Sequence, residues 1–375
     1  MKSPHSAQID APRDAADPIV TIVVPMYNEE RYIAGCLDSI LSQTYDMTRA
    51  EVLVVDGRST DRSAAIVREY EARDPRIRLL DNPARIQPTA LNLGVMNARG
   101  RYVLQMDSHC KFHPDYVERI VEAFERTHAG NVVGLFIAHP GADTPTARAI
   151  WQVQRSRLGA GASYGLHPGP SRFIGENEHI TAGWSFQRSA FDRVGLFDVR
   201  LVRNHDNDMS ARIHEAGLGV YYHPEIKADY FARSTARTFA HAMYKNGYFL
   251  VPMWRLRPGT FAKMHVAPLL FVLVLLIGGL GGFAWPPLWW LGGAALAAHV
   301  VVVDIGASVL NASRHGWWML AYLPWLFLLT HVSYGLGTLA GILRFGLGGV
   351  PPPAEGPGSW MPGMPWAPCV ATAGR

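Results

Sequence analysis

The chain has 375 residues, of which 49% are hydrophobic and 18% charged, with a formal net charge of +4 at pH 7; that length holds one large domain or two ordinary ones. The mild basic excess comes without any aromatic-and-basic motif, which argues against nucleic acid and suits anionic lipid and phosphate partners.

Residues 1–18 are polar and hold Pro4, Pro12 and Pro18. They read as a disordered leader, and they lack the apolar core of a signal peptide. Residues 19–230 read as an α/β domain. IVTIVVPMYN (Ile19–Asn28) predicts a buried strand, and RYIAGCLDSILSQ (Arg31–Gln43) a helix with Ile33, Leu37, Ile40 and Leu41 on one face. EVLVVDGRSTD (Glu51–Asp61) predicts a second strand ending in Asp56, followed by a helix over RSAAIVREYEARD. RIRLLDN (Arg76–Asn82) predicts a third strand, and PTALNLGVMNARG a third helix with Gly100 as its C-cap. RYVLQMD is the fourth strand. Alternating strands and helices imply a parallel sheet with right-handed crossovers and a crevice where strand order reverses. Neither a G-x-G-x-x-G nor a Walker-A lysine is present, so dinucleotide and P-loop readings are poor.

Three strands end in polar residues on what would be one edge of the sheet: Tyr27-Asn28-Glu29, Asp56-Gly57 and Asp107-Ser108-His109. Tyr27 suits stacking on a base and Asp56 suits a base N–H. Strand alternation puts Asp107 and His109 on one side, where a carboxylate and an imidazole suit a divalent ion. On the tripeptide alone, turn capping by Asp107 and a surface His109 are the favoured explanation.

Residues 231–263 form a basic amphipathic stretch, with Arg233, Arg237, His241 and Lys245 at helical spacing among Phe239, Met243 and Tyr244. Such a segment suits a membrane interface. Residues 264–345 hold three apolar runs, His265–Trp285, Leu288–Leu310 and Trp317–Leu343, each long enough to span. Tryptophans at their ends (Trp285, Trp289, Trp290, Trp317, Trp318) fit an interfacial belt. Arg255, Arg257, Lys263 and Arg314 place the globular domain on the cytoplasmic side; Arg344 argues weakly the other way. Asp304, inside the second run, marks either a function or the end of the span. The Pro/Gly-rich residues 346–375 read as disordered. The cysteines, Cys36, Cys110 and Cys369, are odd in number and lack metal-type spacing, so they read as reduced thiols of a cytoplasmic domain.

The segments VPMYNEERYIAGCLDSILSQTY, EVLVVDGRSTDRS, PTALNLGVMNARGRYVLQMDSHC, TAGWSFQRSAFDRVGLFD and NHDNDMSARIHEAGLGVYYHPEI, in this order, resemble family-2 glycosyltransferases. Within that family the chain looks like the membrane-attached succinoglycan-biosynthesis glucosyltransferase type. The resemblance implies a GT-A fold, with a Rossmann-like, mostly parallel sheet. It implies that Pro25, Tyr27, Asn28, Glu29, Asp56 and Gly57 border a nucleotide, and that Asp107 and His109 form the metal-diphosphate motif with Mn²⁺ or Mg²⁺. His109 departs from the family's commoner second Asp. Gly183 and Trp184 would line the donor and acceptor pocket. The family's Glu-Asp motif falls on His205-Asp206, making Asp206 the expected catalytic base with Asp208 as fallback; N-capping of the following helix is the competing reading for both. The Gln-x-x-Arg-Trp motif of processive relatives is missing from HAMYKNGY.

The implied activity is inverting transfer of a hexose, glucose first, from a UDP-sugar to a polyprenyl-pyrophosphate-linked saccharide, feeding exopolysaccharide assembly at the inner membrane. Arg233, Arg237 and Lys245 would meet the acceptor's pyrophosphate. The rivals are transfer to polyprenyl phosphate or a glycolipid, and a non-catalytic scaffold in a polysaccharide complex.

Overall fold

The computed structural model describes residues 17–156, 158–159, 169–175, 184–258, 263–346 and 348–350. Its strands are β1 (Val20–Met26), β2 (Ala50–Asp56), β3 (Ile77–Asp81), β4 (Tyr102–Gln105), β5 (Cys110–Phe112), β6 (Asn131–His139), β7 (Arg172–Phe173), β8 (Ser185–Gln187) and β9 (Val220–Phe231). The helices of the same part are α1 (Ile33–Leu41), α2 (Ser63–Glu71), α3 (Gln87–Asn97), α4 (Tyr116–Thr127), α5 (Pro145–Arg155), α6 (Ala190–Val194) and α7 (His205–Glu215). Then come α8 (Ala236–Leu256), α9 (Ala267–Gly281), α10 (Pro287–His299), a π-helical turn (Val300–Ile305), α11 (Gly306–His315) and α12 (Leu323–Gly341).

The sheet order is β3-β2-β1-β4-β8-β6-β9-β5, with β7 paired to β9. The first four strands are parallel, as the alternating pattern predicts, and β1 and β4 flank the point where order reverses. Beyond β4 the sheet is mixed: β8 runs antiparallel to β4 and β6, and β5 antiparallel to β9. Side-chain alternation assigns each strand's residues to two cores. Val20, Ile22, Val24, Val52, Val54, Tyr102 and Leu104 face α1 and α4. Val23, Val55 and Val103 face α3, Phe191 of α6 and Met209 of α7. Both faces of the central strands are therefore covered, which is why they read as continuous apolar runs.

Gly100 does not cap α3, which ends at Asn97. It lies instead against β1, where a Cβ would stand 2.5 Å from the Thr21 backbone nitrogen. Its N–H donates to Thr21 Oγ1 (2.9 Å), and Thr21 donates to the buried Glu51 carboxylate (2.8 Å). Close backbone approach, rather than helix termination, demands glycine there.

Two helices are long and apolar enough to cross a membrane: Pro287–His315, with mean hydropathy 1.9, and Leu323–Gly346, with 1.6. The first apolar run forms the 15-residue α9, about 22 Å at 1.5 Å per residue against a hydrocarbon core of about 30 Å. Large side chains such as Leu280, Trp290 and Val302 point outward from these helices. The basic segment forms α8, whose apolar face is covered. Gly337 and Gly341 of α12 let the two backbones touch, since a Cβ on either would strike the Tyr244 or Tyr248 carbonyl. Helix α5 joins them: Ala149, Ile150 and Val153 share a core with Phe239, Leu323 and Phe327, and Gln152 bonds Asn311 of α11 at 2.8 Å. The sheet domain is thereby docked on the apolar helices through one of its own helices.

Candidate active site

Parallel β1, β2 and β4 deliver their C-terminal ends to one edge. Register pairs Met26 with Asp56 and Val23 with Gln105, so the three polar strand ends expected to meet do meet. The first two are locked together. Asn28 takes a left-handed backbone (φ 55°), its Oδ1 accepts the Thr60 N–H (2.8 Å), and its own N–H donates to Ser59 Oγ (2.9 Å). Asp56, nearly buried, accepts from Ser59 N–H (3.1 Å) and Ser59 Oγ (2.6 Å). Tyr27 is 47% exposed, and a Cβ on Gly57 would stand 3.3 Å from its ring. The pair forms an open ledge beside a carboxylate. Pro25 is half-buried inside β1, opposite Val55.

Asp107 and His109 come together by a route other than strand alternation. Strand β4 stops at Gln105. A turn closed by the Cys110 N–H on the Asp107 carbonyl (3.0 Å) then brings Asp107, His109 and Cys110 ligand atoms within 4.8 Å of one another. Gln105 Nε2 (3.0 Å) and Gln87 Nε2 (3.4 Å) both donate to Asp107 Oδ1, fixing its orientation. His109 Nδ1 lies 3.4 Å from Glu29 Oε1, and its ring meets Tyr230 edge-on. Burial works against a charged His109, but the Glu29 and Asp107 carboxylates outweigh it and raise the ring's pKa. Glu29 is therefore a partner of His109. A carboxylate and an imidazole, both oriented from behind, form a donor set that fits a divalent cation.

Helix α7 brings the acidic pair, and the structure separates its two members. Its N-cap is Asn204, left-handed (φ 64°) and without a side-chain cap bond, and both aspartates lie in the first turn, where negative charge favours the helix dipole. Asp208 is buried between two guanidinium groups, Arg212 Nε (2.9 Å) and Arg257 Nε (3.0 Å), one on each oxygen. It ties α7 to the end of α8. Asp206 is half-buried and among the described residues its carboxylate accepts one hydrogen bond, from the Asn207 N–H at 2.9 Å. His205 is buried with an unpartnered Nδ1, and burial, ahead of the opposing pull of Asp206, lowers its pKa and keeps it neutral. Asp208→Asn is accordingly expected to cost stability, of the order of 3 kcal/mol for a broken buried ion pair. A fall in thermal midpoint with turnover per folded molecule preserved is the expected result. Unchanged stability with turnover abolished would instead make Asp208 a reacting group.

Trp184 opens β8, 4% exposed, stacked on Phe186 in the core, and its carbonyl accepts the Gln105 N–H. Gly183 lies outside the described residues.

A cavity of about 600 Å³ lies beside this edge, lined by Arg203, Arg233, Arg237, His241, Tyr244, Lys245 and Ser333. No carboxylate pairs with Arg203, Arg233, Arg237 or Lys245 among the described residues. Burial, then Arg203 and Arg233, lowers the Lys245 pKa. Burial, then Lys245 and the three arginines, lowers that of His241. The same cations reach the strand-end site: Arg233 acts on His109 and Arg203 on His205. The cationic cleft is thus electrostatically coupled to these groups. Arg203, Gln105 and Gln87 escaped the sequence reading. Gln105 stands two residues before Asp107, and Arg203 two before His205, and those spacings were the available signals.

Residues 21–195 match the model of Glycosyl transferase family 2. The chain is 23% identical over 276 residues to the dolichyl N-acetyl-alpha-D-glucosaminyl phosphate 3-beta-D-2,3-diacetamido-2,3-dideoxy-beta-D-glucuronosyltransferase of Methanococcus voltae, covering 68% of this chain and 80% of that protein. It is 30% identical over 215 residues to the succinoglycan biosynthesis protein ExoA of Rhizobium meliloti (strain 1021), covering 57% of this chain and 63% of that protein. Among solved structures, the mannosyltransferase PcManGT from Pyrobaculum calidifontis, in complex with GDP-Man and Mn²⁺, superposes with a TM-score of 0.52 at 21% identity, over 92% of this chain and 90% of that one. That likeness bears on the fold. The ordered strand-end motifs, the sheet order and the family match lead to one conclusion: residues 21–195 are a family-2 glycosyltransferase domain of GT-A fold, and the chain is a glycosyltransferase.

Proposed function

We propose that this chain is an inverting hexosyltransferase that moves a hexose, glucose first among the candidates, from a UDP-sugar to a polyprenyl-pyrophosphate-linked saccharide at a membrane face. The observation that carries the reading is the cationic cleft, whose Arg203, Arg233, Arg237 and Lys245 meet no carboxylate among the described residues, acting electrostatically on the strand-end groups. An inverting transfer is one displacement with two demands: a base for the acceptor hydroxyl, and stabilisation of a leaving diphosphate. Asp206, half-buried and accepting one backbone N–H among the described residues, takes the base role. Asp107 and His109 would hold Mn²⁺ or Mg²⁺, which supplies Lewis-acid neutralisation of the diphosphate. The Tyr27–Gly57 ledge, Asp56, Asn28, Glu29 and Pro25 border the nucleotide, while Trp184, buried in the core, supports β8 from behind rather than lining the sugar pocket. Arg233, Arg237 and Lys245, joined by Arg203, hold the acceptor's pyrophosphate.

The two relatives support the class of acceptor, since one is named for a dolichyl-linked glycosyl phosphate and the other for succinoglycan biosynthesis. The PcManGT complex, with GDP-Man and Mn²⁺, supports a metal-assisted nucleotide sugar. The outward-facing apolar helices are best served by lipid. The reading places α9, α10–α11 and α12 as three membrane segments of an inner-membrane protein, α8 at the interface, the sheet domain in the cytoplasm and the product in exopolysaccharide synthesis.

Replacing Arg233, Arg237 and Lys245 one at a time by Ala tests the acceptor site. Each loss of a charge-assisted bond is expected to raise the KM for a polyprenyl-pyrophosphate saccharide about tenfold or more, with donor hydrolysis kept. An unchanged acceptor KM in all three would remove the pyrophosphate assignment. Preference for a polyprenyl monophosphate or glycolipid acceptor would redirect the reading to those lipids.

A further inference from the structure

The apolar helices hold a second cluster, remote in sequence from the strand-end site. Asp304 is 1% exposed, in a helix whose neighbours are Val300–Val303 and Ile305. A carboxylate in such surroundings requires a counter-charge. No Lys or Arg supplies it among the described residues, and Asp304 Oδ1 makes no hydrogen bond. Two histidines converge on it instead: His299, from the end of α10, and His331, from α12. Nε2 of His299 stands 3.4 Å from Asp304 Oδ1 and 3.3 Å from His331 Nδ1. All three ligand atoms lie within 4.8 Å of one another.

Hydrogen bonding explains these distances poorly. Both are longer than the usual range of about 2.7–3.2 Å. Both also meet at one nitrogen, so a proton there serves the two neighbours only through one long three-centre bond. They do match the edge of a tetrahedron: metal–nitrogen bonds of about 2.0–2.1 Å give ligand–ligand separations of roughly 3.3–3.4 Å. The backbone is shaped for the same end. Residues five apart stand about 140° apart around an α-helix. The π turn over Val300–Ile305 bonds i to i+5 and stacks Asp304 over His299, and such turns recur at functional sites. The His299 ring is held from behind, stacked on Phe271 with ring centroids 3.9 Å apart.

We propose that His299, Asp304 and His331 bind one divalent transition-metal ion of the zinc class, clamping the α10–α11 helix to α12. Two imidazoles and one carboxylate suit zinc, where the Asp107–His109 pair suits manganese or magnesium.

The test uses the full chain in detergent carrying Asp107→Ala and His109→Ala, which removes the strand-end metal site. After stripping with EDTA, Zn²⁺ is titrated against a chromophoric chelator and Co²⁺ is followed by visible absorption. The expected result is one Zn²⁺ per chain, the intense visible bands of four-coordinate cobalt, and a higher thermal midpoint with zinc. His331→Gln and Asp304→Asn, checked for retained helical circular dichroism, are each expected to weaken zinc binding about 100-fold or more. If either variant misfolds, the cobalt spectrum of the parent chain decides. A parent chain that binds no zinc and gives no four-coordinate cobalt spectrum overturns the proposal. So does zinc binding of equal strength in folded His331→Gln and Asp304→Asn.

Discussion

Asp206→Asn is expected to lower sugar transfer by about 10²–10⁴-fold, the usual worth of a general base, while nucleotide-sugar binding stays unchanged. The substitution is nearly isosteric, and the amide oxygen still accepts the Asn207 N–H that Asp206 accepts. Only the proton-accepting charge is lost. The neighbouring His205 does not replace it, because its free Nδ1 is buried away from solvent. Asp208 does not replace it either, since Arg212 and Arg257 occupy its two oxygens. Single-turnover transfer and donor titration on the same preparation check the split. Retained transfer, or loss of donor binding, would take the base role away from Asp206.

Asp107→Ala is the second large effect. A divalent ion held by Asp107 and His109 would supply several kcal/mol of charge stabilisation to a leaving diphosphate, so turnover is expected to fall about 10³-fold or more and to lose its dependence on Mn²⁺ or Mg²⁺. The side chain is held in place by Gln105 and Gln87, and the whole turn is closed on its own backbone, so the fold should survive. His109→Ala should weaken metal dependence in the same direction. His109→Asp, which restores the family's commoner motif, should retain more activity than His109→Ala, although it sets a third carboxylate beside Glu29 and Asp107. An Asp107→Ala chain whose metal response matches wild type would exclude the strand-end site as the metal site.

The parallel half of the fold was legible because its information is local. Alternating Ile22, Val23 and Val24 in β1, and Val54 with Val55 in β2, divide between two cores by period two alone. The convergence of Tyr27, Asp56 and Asp107 follows from strand polarity. The i, i+2 argument brings Asp107 and His109 together by strand alternation, whereas the structure joins them through a turn. What stayed hidden depends on partners distant in sequence. Gly100 serves a close approach to Thr21, 79 residues earlier. Asp208 meets Arg257 across 49 residues. Helix α5 carries no membrane signature, yet it binds α11 across 159 residues through Gln152. Asp304 was visible as an anomaly in an apolar run, but its histidine partner on α12 was not.

The central claim is that the cationic cleft and the strand-end carboxylates make a metal-assisted nucleotide-sugar transferase. The most direct measurement is UDP release by the purified full chain in detergent, over a panel of UDP-sugars, with Mn²⁺, with Mg²⁺ and with EDTA, lipid extract supplying the acceptor. The account predicts release from one sugar, abolished by EDTA and restored by one of the two metals. No release from any sugar with either metal, lipid present, would contradict it and leave the chain as a scaffold or a user of another nucleotide.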